Sequence, residues 1–175
     1  MNLVVFSGLP GTGKTALAET VGRELHIPVF AKDWIESTLL HSELAPTNRE
    51  KPLGTASYHL LTVLAERQLM LGQSVILDSV ASTKSIRSTW RELAEKYHAR
   101  WFVVECICSD EEVHRARLSI RHRGIPGWHE LDWSEVGRVK SYYHPWDEDR
   151  LILDAMKPLA ENLEHLFVYL RREGE

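Results

Sequence analysis

The sequence predicts a single α/β domain in three layers, a parallel sheet with helices on both sides. Three observations carry that expectation. Short apolar runs alternate with longer amphipathic ones along the 175 residues, which is the rhythm of βαβ units. The segment GLPGTGKT, residues 8–15, stands where the first apolar run meets the first helical pattern. No internal repeat and no Gly/Ser/Pro-rich linker divides the chain, and this length suits one domain, 1–175.

The elements follow in order. Residues 3–6 read as a first strand, 8–13 as a loop, and 14 to about 25 as a helix. A second strand, 28–31, ends at Lys32 and Asp33, and a short helix from Trp34 leads into the polar stretch APTNREKP, 45–52. A longer helix from about 55 to 71 carries Tyr58, Leu61, Leu64 and Ala65 at helical spacing and stops at Gly72. Residues 74–77 form the third strand, closing on Asp78 and Ser79, and 83–99 the next helix. A fourth strand, 101–108, precedes Asp110, which is placed to cap a helix starting near Glu111. The segment 123–147 is weakly hydrophobic, with Gly124, Pro126, Gly127, Gly137 and Pro145 among Trp128, Trp133 and Trp146. It reads as a mobile flap rather than a core element, before a last strand at 151–153 and a closing helix at 158–171.

Composition narrows the function. A chain 43% hydrophobic and 26% charged is ordinary for a globular protein, and disorder would need less apolar content. The net charge of -4 gives no support to broad nucleic-acid or membrane binding. Cys106 and Cys108 share one apolar run without further metal ligands nearby, so two reduced cysteines on one strand face, packed against a helix, are expected. The apolar run at the N-terminus is too short for a signal sequence or a span, and the expected compartment is the cytoplasm.

GLPGTGKT fits G-x-x-x-x-G-K-[ST] at every fixed position. Gly8, Gly11 and Gly13 let the backbone around Thr12 curl so that successive N–H groups face phosphate oxygens, and the following helix N-terminus adds favourable potential for anions. Lys14 supplies a mobile charge for the β- and γ-phosphates, and Thr15 a hydroxyl for Mg²⁺. The expected ligands are therefore ATP and Mg²⁺. No asparagine is followed by Lys to read guanine as N-K-x-D: the asparagines are Asn2, Asn48 and Asn162.

Ligands of open parallel sheets bind beyond the carboxyl ends of the strands. Asp78, ending SVILD, can hold Mg²⁺ beside Thr15. Asp33, ending PVFAKD, can orient an acceptor hydroxyl and take its proton, or it can cap the helix that follows; the two roles compete for the same oxygens. Ser79 can touch a substrate or serve as a turn hydroxyl. The segment EEVHRARLSIRHRG brings Arg115, Arg117, Arg121 and Arg123 together, with Arg117 and Arg121 on one helix face. Guanidinium groups stabilise a transferring phosphoryl, and a closing flap keeps water away from it. The alternative for these arginines is a solvated face paired with Glu111 and Glu112, which fits Arg115 better than Arg121–His122–Arg123. Trp128, Trp133 and Trp146 form either a wall against a flat substrate or simple packing, and His59 reads as packed or exposed rather than catalytic.

With these residues in place, the chain resembles the small P-loop kinases around polynucleotide kinase, gluconate kinase, chloramphenicol phosphotransferase and the zeta-type toxins, often grouped with AAA-type ATP-binding proteins. The resemblance rests on GLPGTGKT, Asp33 before a helix, LGQSVILDSV, the arginine cluster and HPWDEDRLILDA. It implies a sheet of order 2-3-1-4-5, Lys14 and Thr15 on ATP and Mg²⁺, Asp33 as general base, Asp78 near metal or substrate, and Arg117, Arg121 and Arg123 on a lid, about 115–147, over the phosphates. That order sets the strands ending in Asp33 and Asp78 on the same side of the loop strand. A ring-forming mechanical ATPase would need a further helical domain. The expected activity is transfer of the γ-phosphoryl of ATP to a small hydroxyl acceptor by a monomer or homodimer. A kinase of nucleic-acid 5′ ends, using Arg49, Lys51, Lys84 and Arg87 as a basic track, and a nucleotide-dependent switch are the alternatives.

Overall fold

The computed structural model describes residues 1–42 and 53–172. The polar stretch 45–52, with Arg49 and Lys51, lies outside them. Strand β1 (Asn2–Ser7) is buried on both faces, as a central parallel strand must be. Leu3 and Val5 point to one side of the sheet, Val4 and Phe6 to the other. After it come α1 (Lys14–Leu25), β2 (Val29–Ala31), α2 (Lys32–Leu40), α3 (Leu53–Met70), β3 (Val75–Asp78) and α4 (Lys84–Lys96). The chain continues through β4 (Arg100–Ile107), α5 (Glu111–Ile120), α6 (Trp133–Tyr142), β5 (Leu151–Asp154) and α7 (Leu159–Arg171).

All strand pairs are parallel, in the order β2-β3-β1-β4-β5. Helices α3 and α4 close one face, where Leu61, Ala65, Leu69, Trp90 and Leu93 meet Leu3 and Val5. Helices α1 and α7 close the other, where Leu17, Val21 and Leu166 meet Val4 and Phe6. The expected three layers and the 2-3-1-4-5 order are therefore present. In register, Asp78 lies opposite Phe6 on one side and Ala31 on the other, so the ends of β1, β3 and β2 share one edge.

Two expectations, the flap and Cys108, need correction, and two open alternatives, at Trp146 and Arg87, are decided. The segment 123–147 is not simply a flap: α6 runs through it, started by a capping box between Asp132 and Glu135 and held by buried Val136 and Val139. Trp146 is no substrate wall. It is 5% exposed, belongs to the core beside Trp90, and donates its indole N–H to Ser7 Oγ at 3.0 Å. Arg87 is not part of a basic track. It is buried, donates to the carbonyls of Ala81, His144 and Pro145, and stacks over the Trp146 ring, while Lys84 pairs with Asp147. Finally, Cys106 is buried as expected, and burial pushes its thiol up to about 12, but Cys108 falls past the end of β4.

Arg87 thus ties the chain after α6 to the sheet. Arg87→Ala should lower unfolding free energy on the order of 3 kcal/mol, because three carbonyls lose a shared donor in a poorly hydrated site. Urea unfolding checks this, and a change under about 0.5 kcal/mol would return Arg87 to the surface class.

Candidate active site

The loop between β1 and α1 is built as the sequence requires. Gly8 has φ 133°, and a Cβ there would collide with the carbonyl oxygen of Cys106 on the neighbouring strand, so only glycine lets the chain turn. Gly11 and Gly13 also have positive φ, and Gly13 caps α1. Thr12 is buried and turns its hydroxyl inward, to the Leu9 carbonyl at 2.9 Å. Lys14 donates to the same carbonyl at 2.8 Å. Burial pushes the Lys14 ammonium below its usual range, and the Asp78 carboxylate opposes that shift.

The loop has a support that motif reading missed. His114 of α5 is buried, with Nε2 2.7 Å from the Pro10 carbonyl. A carbonyl only accepts, so Nε2 carries the proton. The Trp133 ring meets this imidazole edge-on at 5.1 Å, so α5 and α6 together brace the loop. Across 104 residues of sequence, no spacing announces such a contact.

Asp78 is 5% exposed and accepts from Thr15 Oγ1 at 2.6 Å. Burial pushes its carboxyl up, while Lys14 and the Thr15 hydroxyl pull it back. Mg²⁺ takes one or two protein oxygens and completes its shell with phosphate and water. Thr15 and Asp78 offer two adjacent hard oxygens at the helix end of the loop, a donor set that fits the ion.

Asp33 stands differently from the expectation. It belongs to the first turn of α2, whose N-cap is Ala31, and no side chain caps that helix. The capping alternative therefore falls away. Asp33 Oδ2 is instead held by Arg123 of the lid. Arg123 is also held by Glu130, which accepts its backbone N–H at 2.9 Å and lies 3.6 Å from its Nε. Glu130 is a second residue that sequence reading passed over.

The arginines separate as their surroundings dictate. Arg115 is exposed, pairs at the rim with Glu111 and covers Trp133. Arg117 donates to the Ala155 carbonyl at 2.6 Å. Arg121 lies one residue past the end of α5, so it is not on the same helix face as Arg117 in the strict sense. Its Nε and Nη2 are buried without a hydrogen-bond partner among the described residues, as are Arg123 Nη2, Ser79 Oγ and Trp128 Nε1. Burial, and next Arg123, push the Arg121 guanidinium down. Arg123 sits over the Trp128 ring at 5.6 Å, whereas the exposed His59 is only a wall residue.

Lys14, Thr15, Asp33, Asp78, Arg121 and Trp128 line one cavity of about 1370 Å³. A second recess of about 460 Å³ opens on the other side of the loop, between Arg117, Met156 and Asn162. A family model for the AAA domain matches residues 3–143. The chain belongs to this family.

Relatives agree with that placement. A human protein, 6-phosphofructo-2-kinase/fructose-2,6-bisphosphatase 4, is 25% identical over 169 residues, covering 84% of this chain and 36% of that one. The chain thus spans about a third of that relative's length. A sugar kinase from Janibacter sp. HTCC2649 superposes with a TM-score of 0.71 at 20% identity, over 97% of this chain and 94% of its own. Kti12 from Chaetomium thermophilum, solved in complex with ADP-AlF3, gives 0.72 at 17% identity, over 97% and 100%. At such identities the likeness speaks for the fold, which this AAA-family chain shares with small P-loop kinases. Among the described residues no helix is long and apolar enough to cross a membrane.

Proposed function

We propose that the protein is a cytoplasmic ATP-dependent phosphotransferase that moves the γ-phosphoryl of ATP to the hydroxyl of a small molecule. The observation that carries this reading is a convergence. Asp33 shares a cavity with the phosphate loop, and buried guanidinium nitrogens of Arg121 and Arg123 stand there without hydrogen-bond partners among the described residues. A volume of about 1370 Å³ exceeds the roughly 300–1,000 Å³ of a common ligand pocket, which leaves room for a triphosphate and an acceptor together. The smaller recess beside Arg117 and Asn162 suits the base, since it adjoins Thr12 and Gly13 on the outer side of the loop.

In this scheme the phosphates rest on the N–H groups of residues 8–15, with Lys14 beside them. Thr15 and Asp78 would hold Mg²⁺, which would supply charge neutralisation when bound. Arg123 fixes Asp33 through Oδ2, and Oδ1, which makes no hydrogen bond among the described residues, faces the acceptor. The acceptor oxygen forms a bond to the γ-phosphorus as the bond from that phosphorus to the β–γ bridging oxygen breaks. ADP leaves with the electron pair, and the hydroxyl proton passes to Asp33. Arg121 and Arg123 meet the charge on the transferred group, and the lid excludes water.

The test is acceptor-dependent ADP release across sugars, nucleosides, aminoglycosides, phenicols and short 5′-hydroxyl oligonucleotides. One small-molecule class should accelerate turnover, and activity confined to the oligonucleotides would transfer the reading to nucleic-acid ends. With that acceptor, Arg121→Ala and Arg123→Ala should each lower kcat by about 10²-fold while ATP affinity changes little, because the charge they meet builds in the transition state. Arg115→Ala should stay near wild type. Equal losses in all three would make the cluster ordinary surface charge.

A further inference from the structure

The lid does not hang free over the cavity. Its strip from Arg123 to Gly127 lies beside α2, and α2 with its C-cap residue meets it at three points four residues apart. Asp33 takes Arg123, Ser37 Oγ donates to the Pro126 carbonyl at 2.5 Å, and the His41 imidazole faces Gly127. Asp33 and Ser37, at i and i+4, share a face of α2, and His41 follows as its C-cap.

Each contact is specific in its chemistry. Ser37 is the one buried residue of α2, at 3% exposure, and its hydroxyl is spent on a lid carbonyl 89 positions away. The His41 ring is oriented by its own helix, with Nδ1 2.7 Å from the Ser37 carbonyl; since that oxygen can only accept, Nδ1 carries the proton. The ring then fills the space beside Gly127, where a Cβ would run into Cε1 and Nε2. Gly127 also has φ 69°, a conformation that favours glycine on its own account.

We propose that Ser37 and His41 are positioning residues: with Asp33 they form a latch that sets the lid, and so Arg121 and Arg123, over the phosphate loop. Pinning residues 123–127 beside the cavity holds there the guanidinium nitrogens of Arg121 and Arg123 that lack a hydrogen-bond partner among the described residues. Neither Ser37 nor His41 lines the cavity, so neither is required for holding nucleotide. The consequence for turnover rests on the phosphotransfer reading. The latch itself is a statement about the lid and is tested without any acceptor.

Hydrogen–deuterium exchange of Ser37→Ala, His41→Ala, Gly127→Ala and the double variant His41→Ala/Gly127→Ala provides that test, beside binding of the fluorescent analogue mant-ATP. Ser37→Ala and His41→Ala should each speed exchange of peptides across 121–131 by about tenfold, as loss of one lid contact opens a local unit. Peptides of β1 and β4 should stay protected, and mant-ATP affinity should hold within about threefold. Gly127→Ala should open the same peptides, and in the double variant the effects should add to less than their sum, because the ring that the new methyl strikes is gone. Wild-type exchange at 121–131 in both single α2 variants, faster exchange spread equally over β1 and β4, or strict additivity in the double variant would each overturn the latch. If Ser37→Ala does not fold, the His41/Gly127 cycle decides alone. Absence of mant-ATP binding to the wild-type protein would sink the nucleotide reading while leaving the exchange result to stand.

Discussion

Lys14→Ala is expected to fold normally and to lose phosphoryl transfer by about 10³-fold or more, the scale on which a preorganised charge at the reacting group is felt. The local chemistry favours a clean result. Lys14 is 8% exposed, so the ammonium is held in a poorly hydrated place where its attraction for phosphate is strong. Among the described residues its one hydrogen bond goes to the Leu9 carbonyl, which keeps a second donor in Thr12 Oγ1 after the substitution. Asp78 loses a neighbouring cation yet keeps the Thr15 hydroxyl. No apolar core is opened, because the buried partners of α1 are Leu17, Ala18 and Val21. Circular dichroism, unfolding and acceptor-dependent turnover on one preparation check the claim. Turnover within about threefold of wild type would remove Lys14 from the phosphates. A collapse in stability would instead make its role structural.

Much of this architecture was legible because it depends on local pattern. β1 and β3 are continuous apolar runs since both their faces are covered, and that reads directly in one dimension. GLPGTGKT is contiguous, so loop, helix start and the Thr15–Asp78 pair all followed from a motif and a strand end. The capping box that begins α6 was also present as Asp132 and Glu135, but Gly137 and the surrounding Pro and Trp residues masked a helix of weak apolar content. Other features had no local signal. Arg87 finds its carbonyl partners up to 58 residues away, His114 braces a loop 104 residues back, and Trp146 reaches Ser7 across 139. These contacts are set by how layers stack, so charge or aromaticity at one position gives the wrong impression of a surface residue. Asp33 was left between two roles by its place near a strand end, and the cap is the one that falls, since β2 ends at Ala31 and the helix is under way when the acid arrives.

Asp33→Asn bears hardest on the mechanism. The capping alternative has gone, because Ala31 holds that position and α2 takes no side-chain cap. What remains is a choice between a group that receives the acceptor proton and one that only anchors Arg123. An amide keeps the shape of the carboxylate and one oxygen for the guanidinium, but it cannot take a proton at neutral pH. If Asp33 is the base, ATP affinity should survive, carried by the loop and Thr15, while kcat falls by about 10²-fold or more. If Asp33 only anchors the lid, Asp33→Asn should behave like the latch variants: faster exchange across 121–131 and a smaller loss of turnover. The two outcomes separate on one further measurement. Arg123→Ala removes the same ion pair from the other side and leaves the carboxylate free to accept a proton. A kcat loss in Asp33→Asn, with lid exchange unchanged, assigns the proton to Asp33. Intact turnover in Asp33→Asn with a working acceptor would take the general base out of the scheme and leave catalysis to positioning and charge. A fall in ATP affinity, read by calorimetry, would move Asp33 to the phosphate side of the cavity and make the buried Ser79 the next group to test against the acceptor.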